Sequence, residues 1–166
     1  NVAPCPPELV VSSICDRGED CDDPGAQANQ LSWLGSLSVC GDDDVEGYRI
    51  YYAPGTGAEF TQVGEVIGAE NTTFEHLPPD GIVGCYVVTA YDDNESLPSN
   101  EVCVTNCPQY ELPNAFTPNG DGMNELFVPR INCFIERVEF EVVNRWGQTV
   151  FTTEDPQINW DGTNQN

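Results

Sequence analysis

The chain has 166 residues, with 28 carboxylate side chains against five basic ones, and carries a formal net charge of −23. All five cations are arginine, and lysine is absent. This balance excludes nucleic-acid binding, which needs a cationic stripe to meet phosphates, and it disfavours docking on an anionic membrane surface. No apolar run approaches the ~20 residues of a membrane span. No signal peptide is visible, so the chain reads as a mature or excised piece. Eight cysteines and a single methionine point to an oxidising, extracellular setting with a disulfide framework. A zinc centre fits poorly, because neither close pair (Cys15 with Cys21, Cys103 with Cys107) has knuckle spacing and the only histidine is His76.

Thirteen prolines and fifteen glycines punctuate short apolar runs that alternate with period two, as half-buried strands do. Strands are expected at Leu9 to Ser13, Gln30 to Leu34, Tyr48 to Ala53 and Phe60 to Val66. Three more follow at Thr72 to His76, Cys85 to Tyr91 and Glu101 to Thr105. Leu31 and Trp33 share one face, as do Tyr48, Ile50 and Tyr52. Seven short strands separated by turns predict a β-sandwich. The core Trp33, the Tyr48 to Tyr52 strand, a tyrosine corner from Leu77 to Tyr86 and the turn from Asn94 to Asn100 resemble a fibronectin type III domain. The expected first module is residues 1–106.

Beyond Asn106 the pattern changes. A block from Pro113 to Asn124 holds Asn114, Phe116, Thr117, Pro118, Asn119, Gly120, Asp121 and Gly122, followed by Glu125. Val138, Phe140 and Val142 then alternate with Glu139 and Glu141. A turn Asn144-Arg145-Trp146-Gly147 leads to a return strand, Thr149 to Thr152, and the chain closes on Trp160-Asp161-Gly162. These three blocks resemble the C-terminal domain of gliding-motility-associated proteins of Bacteroidetes, the type B sorting domain of type IX secretion cargo. Glu125 stands where that family usually has Asp, and Val143 where it has an aromatic residue. The family domain also continues some twenty-five residues past its Trp-Asp-Gly, so residues 107–166 are expected to be a partial domain. An open edge along Val138 to Val143 or its return strand is then expected.

The overall expectation is all-β: two immunoglobulin-like β-sandwich modules in tandem, the second incomplete. The resemblance implies an exported cell-surface protein, an adhesin, held at the bacterial outer membrane. Its partners would be the type IX translocon and an outer-membrane β-barrel. Pro113, Asn114, Phe116 to Gly122, Asn144, Arg145, Gly147, Asp161 and Gly162 would form the recognition surface, with Trp146 and Trp160 as candidate anchors. Local packing beneath their turns is the other reading for both tryptophans, and Arg145 is expected to pair with a nearby carboxylate. Alternatives are a purely structural stalk of tandem sandwiches, or a calcium- or carbohydrate-binding adhesion module, with Tyr51, Tyr91 and Tyr110 as candidate sugar platforms.

No catalytic residue is assigned: no nucleophile elbow, metalloprotease helix or P-loop occurs, and His76 reads as a partly exposed strand residue. Calcium is the one candidate cofactor. Asn119, Asp121 and Glu125 place oxygens around two glycines, although a tight loop with self-satisfied Asn side chains explains them better. The Asp16, Glu19, Asp20, Asp22, Asp23 cluster and the Asp42 to Asp44 run read as solvated faces. In the assumed sandwich the disulfides pair as Cys5–Cys40, Cys15–Cys21, Cys85–Cys103 and Cys107–Cys133. In that scheme Cys40 sits in a loop and Cys85 points out of its strand.

Overall fold

A computed structural model of the chain describes residues 3–18, 21, 27–42 and 44–164. Glu19, Asp20, Asp22, Asp23 and Asp43 of the two acidic runs lie outside the described residues. The chain falls into two compact units, Asn1–Asn106 and Cys107–Asn166.

The first unit is built from two antiparallel sheets. One contains β1 (Glu8–Ser12), β2 (Asn29–Leu34) and β5 (Thr73–His76) in the order β1-β2-β5. The other contains β3 (Gly47–Ala53), β4 (Thr61–Ile67), β6 (Gly84–Tyr91) and β7 (Val102–Val104) in the order β4-β3-β6-β7. Every strand expected here is present, with ends shifted by a residue or two. The period-two pattern orients them: Leu31 and Trp33 are buried from β2, and Tyr48, Ile50 and Tyr52 from β3. Trp33 meets Tyr48 edge-on at 5.2 Å between ring centroids, the arrangement that aromatic quadrupoles favour.

Two one-turn helices, α1 (Ile14–Arg17) and α2 (Ser36–Cys40), interrupt the strands. At α1 the Asp16 carboxylate accepts both the Ser13 N–H at 2.8 Å and the Ser13 hydroxyl at 2.9 Å. These bonds hold the Asp16 carboxyl below its ordinary range, the Ser13 backbone bond contributing most. Gly18 ends the turn in the left-handed region, φ 66°, where a side chain would be strained.

Segment 96–100 continues the pairing of β6 where β7 does not reach. Ser96 and Ser99 hydroxyls accept the Ala90 and Val88 N–H groups at 2.9 and 3.0 Å. The Asn100 amide then clasps the backbone of Leu9 on β1 through both its oxygen and its nitrogen, at 2.8 and 2.9 Å. Side chains thus occupy backbone groups that would otherwise be open edge.

The tyrosine corner is not formed as expected. Leu77 is 57% exposed, because Phe74 and His76 already take the inward parity of β5 and the next residue must point out. Pro78 and Ile82 are buried in its stead. The Tyr86 hydroxyl lies 2.9 Å from the Asn29 amide nitrogen, which donates to it, and 3.0 Å from His76 Nδ1. Asn29 also donates to the Ile82 carbonyl at 2.8 Å. His76 is therefore part of a core aromatic cluster, its ring 5.0 Å from Tyr52 and 5.7 Å from Tyr86.

Burial pushes the Tyr86 hydroxyl up to about 12, against the opposing Asn29 hydrogen bond, and burial pushes the His76 imidazole down. Unfolded tyrosine ionises near pH ~10, so the unfolded chain loses that proton first and stability falls as pH rises from about 10 to about 12. Unfolded histidine gains its proton near pH ~6.5, before the buried ring does, so stability also falls as pH drops through that value. Thermal melts across pH should show a plateau between these limits, and Tyr86→Phe should shallow the alkaline decline. An identical alkaline limb in that variant would place the loss elsewhere.

Cys5 and Cys40 are joined, with Cα atoms 6.5 Å apart, and Cys85 and Cys103 are joined across the β6–β7 pair, 4.0 Å apart. Cys40 is the last residue of α2 rather than a loop position, and Cys85, opposite in parity to the buried Tyr86, Val88 and Ala90, is itself buried beside its partner Cys103. Cys15, Cys21, Cys107 and Cys133 are also disulfide-bonded. Glu101 lies near Cys85 and Cys103, but their disulfide consumes both sulfurs and leaves no thiolate to ligate a metal.

The second unit contains two short antiparallel pairs: β8 (Gln109–Glu111) with β9 (Ile131–Cys133), and β10 (Phe140–Val143) with β11 (Thr149–Thr153). Among the described residues, β10 and β11 pair with no further strand. Among the described residues, only Cys133, Phe151 and Ile158 are buried apolar residues here, so the half-buried aromatics must supply most of this core.

Candidate recognition site

Five aromatic rings of the second unit form a closed circuit. Phe116 meets Phe127 at 5.7 Å, Phe127 meets Phe140 at 5.7 Å, and Phe140 meets Phe151 at 6.5 Å. Phe151 meets Trp160 at 6.0 Å, and Trp160 returns to Phe116 at 5.5 Å. Each of the three sequence blocks contributes a ring: Phe116 from the first, Phe151 from the second and Trp160 from the third. The Phe127 N–H donates to the Trp160 carbonyl at 2.7 Å, tying the backbones of two circuit members together. A Cβ on Gly162 would lie 3.2 Å from the Phe116 ring and 3.3 Å from Pro118. The close approach, with φ 83°, explains a glycine after Asp161.

Trp160 is half-buried in this circuit, in keeping with the packing reading of its turn. Its indole N–H donates to the Thr163 carbonyl at 2.8 Å, and Asp161 accepts the Thr163 N–H and hydroxyl at 2.9 and 2.7 Å. The preceding pair, Ile158 and Asn159, sits in the left-handed region with φ 59° and 57°. Ile158 is buried there, an unusual conformation for a β-branched residue.

The loop from Asn114 to Glu125 is exposed apart from Phe116 and Glu125, which are partly covered; Pro113, just before it, is too. Its polar side chains bond the loop itself. Asn119 Oδ1 accepts the Asp121 N–H at 3.0 Å, and Asp121 accepts the Met123 N–H at 2.8 Å and the Asn119 amide at 3.1 Å. Glu125 accepts the Gly122 N–H at 3.0 Å. Thr117 N–H donates to the Asn124 carbonyl at 2.8 Å, closing the loop. Gly120 and Gly122 adopt φ 80° and 83°, as the turns require. Backbone donors hold both carboxyls below their ordinary values, Met123 foremost for Asp121, and Gly120 then Gly122 for Glu125. The oxygens that calcium would need are thus turned onto N–H groups. Adding millimolar calcium or a chelator should leave the melting temperature unchanged within about 1 °C, and a calcium-dependent rise would show that the loop opens to bind.

Asn144, Arg145, Trp146 and Gly147 form the turn between β10 and β11. Asn144 Oδ1 accepts the N–H groups of Trp146 and Gln148 at 2.9 and 3.0 Å, while its amide donates to Gln148 at 3.0 Å. Gly147 takes φ 79° and donates to the Asn144 carbonyl at 2.9 Å. Trp146 is 74% exposed. Among the described residues no carboxylate pairs with Arg145, contrary to expectation; its guanidinium lies over the Trp146 ring, 4.9 Å from the centroid.

Of the candidate sugar platforms, Tyr51 donates its hydroxyl to Glu95 at 2.8 Å and Tyr91 lies under Arg49 at 4.3 Å. Tyr110 donates to the Pro156 carbonyl. Glu95 opposes its own burial with bonds from Thr89 and Tyr51 and the charge of Arg49, which together hold its carboxyl below the usual value.

Residues 110–166 match the CHU_C type IX secretion signal domain family. Among solved structures, the chain is similar to a Fn3-like protein from Clostridium thermocellum, at 19% identity and TM-score 0.46, covering 63% of this chain and 94% of that one. It is also similar to the twitchin kinase region from C. elegans (Fn31-NL-kin-CRD-Ig26), at 18% identity and TM-score 0.45. That likeness covers 68% of this chain and 18% of the other.

Proposed function

We propose that the second unit is a type B sorting domain of the gliding-motility-associated class from Bacteroidetes. In this reading it directs export through the type IX translocon and holds the protein on the outer-membrane surface through a partner β-barrel. The first unit is a fibronectin-type spacer in an exported adhesin. The observation that supports this reading best is the family match over residues 110–166, which falls on the three blocks whose rings close one aromatic circuit. The acidic, lysine-free surface and the disulfides suit a protein that works outside the cell.

The test uses the protein as its gene encodes it, with a fluorescent protein placed ahead of residue 1. Surface fluorescence should appear in a type IX-competent strain and vanish in a strain lacking the translocon. Equal surface display in both strains would overturn the assignment.

A further inference from the structure

Arginine is scarce here, and the structure uses it locally. Arg49 lies 3.0 Å from Glu95 and 3.5 Å from Glu65, Arg130 lies 3.1 Å from Glu111, and Arg137 pairs with Glu154 and Glu139. Arg17 donates to the carbonyls of Ser12 and Ala28. Among the described residues Arg145 alone lacks such an arrangement: no carboxylate oxygen lies within 4.0 Å of it, in a chain with 28 carboxylates. It rests on Trp146, the most exposed of the three tryptophans, since Trp33 is buried and Trp160 packed. The turn that carries both is held by the Asn144 side chain and the left-handed Gly147.

A lone exposed tryptophan is ordinary. An exposed tryptophan on a fixed turn, with a guanidinium that no described carboxylate engages oriented on its face, presents two of the residue types enriched in binding hot spots. The turn and the stacking order both side chains in advance, which lowers the entropy lost on docking. The rest of the surface is strongly anionic, so an anionic lipid surface would be repelled, whereas a protein pocket can offer a local acceptor.

We propose that Arg145 and Trp146 form a knob that enters an apolar slot on a protein of the type IX export machinery. The indole fills the slot, and the guanidinium pairs with a carboxylate at its rim. This rests on the sorting-domain reading above.

The test measures surface display of the fluorescent fusion in competent and translocon-deficient strains, with melting temperatures of the purified variants as a folding control. Trp146→Ala and Arg145→Glu should each cut the surface fraction tenfold or more, with melting points within about 2 °C of the parent. Trp146→Phe and Arg145→Lys should retain most display, and Met123→Ala, altering another exposed side chain, should match the parent. A photocrosslinking residue at position 146 should yield a protein adduct in the outer-membrane fraction, and the same residue at position 123 should not. Parent-like display by Trp146→Ala overturns the knob while leaving the sorting reading intact. An adduct composed of lipid or lipopolysaccharide overturns the protein slot. Translocon-independent display of the parent overturns the sorting reading and the knob with it.

Discussion

Phe151→Ala should destabilise the second unit by about 3–5 kcal/mol, the usual cost of deleting a buried phenylalanine. This is the largest effect expected from any one side chain of that unit. Phe151 is one of only three buried apolar residues there among those described, and it joins Phe140 to Trp160 in the aromatic circuit. Its loss opens the circuit at two contacts, those with Phe140 and Trp160. A chemical melt followed by tryptophan fluorescence should show residues 107–166 unfolding at much lower denaturant, while the first unit keeps its midpoint. Surface display of the fusion should fall with it. A midpoint shift under about 1 kcal/mol would mean that the circuit is not the core of this unit.

Gly84→Ala should cost about 3 kcal/mol or more in the first unit, adding backbone strain to overpacking. Gly84 opens β6 with φ 153°, and a Cβ there would lie 2.1 Å from the Tyr52 ring and 2.8 Å from the Ala53 carbonyl. The ring cannot readily retreat. Its hydroxyl donates to the Val83 carbonyl at 2.8 Å, and the ring packs against His76 and Tyr86 at 5.0 and 5.3 Å. Gly55→Ala, at a position with open space around it, should be nearly neutral by comparison. Equal melting temperatures for the two variants would show that β6 can shift without penalty.

The strands of the first unit were legible because each exposes one face and buries the other, and a period of two then writes itself into the apolar residues. The same parity explains the error at Leu77: its aliphatic character suggested a corner residue, but two inward residues just before it left only the outward direction. The one-turn helices leave no periodic trace, although Ser13 and Asp16 with Gly18 carry a cap and stop signal that could have revealed α1. Strands β8 and β9 are three residues each and some twenty residues apart, so nothing local announces their pairing. At the candidate site, the motif blocks were visible as residue types, but their convergence into a ring circuit depends on long-range packing. Trp146 and Trp160 look alike in sequence, each beside a glycine turn. Only the fold separates a packed indole from a presented one, and only the fold shows which arginine lacks a carboxylate.

The most direct measurement is the fraction of the fluorescent fusion that external protease can reach in type IX-competent cells, comparing the encoded protein with one cut after Asn106. The parent should be largely accessible and the truncated form should stay sealed inside the envelope. Equal accessibility of the two would contradict the sorting-domain reading, because the export information would then lie outside the C-terminal unit.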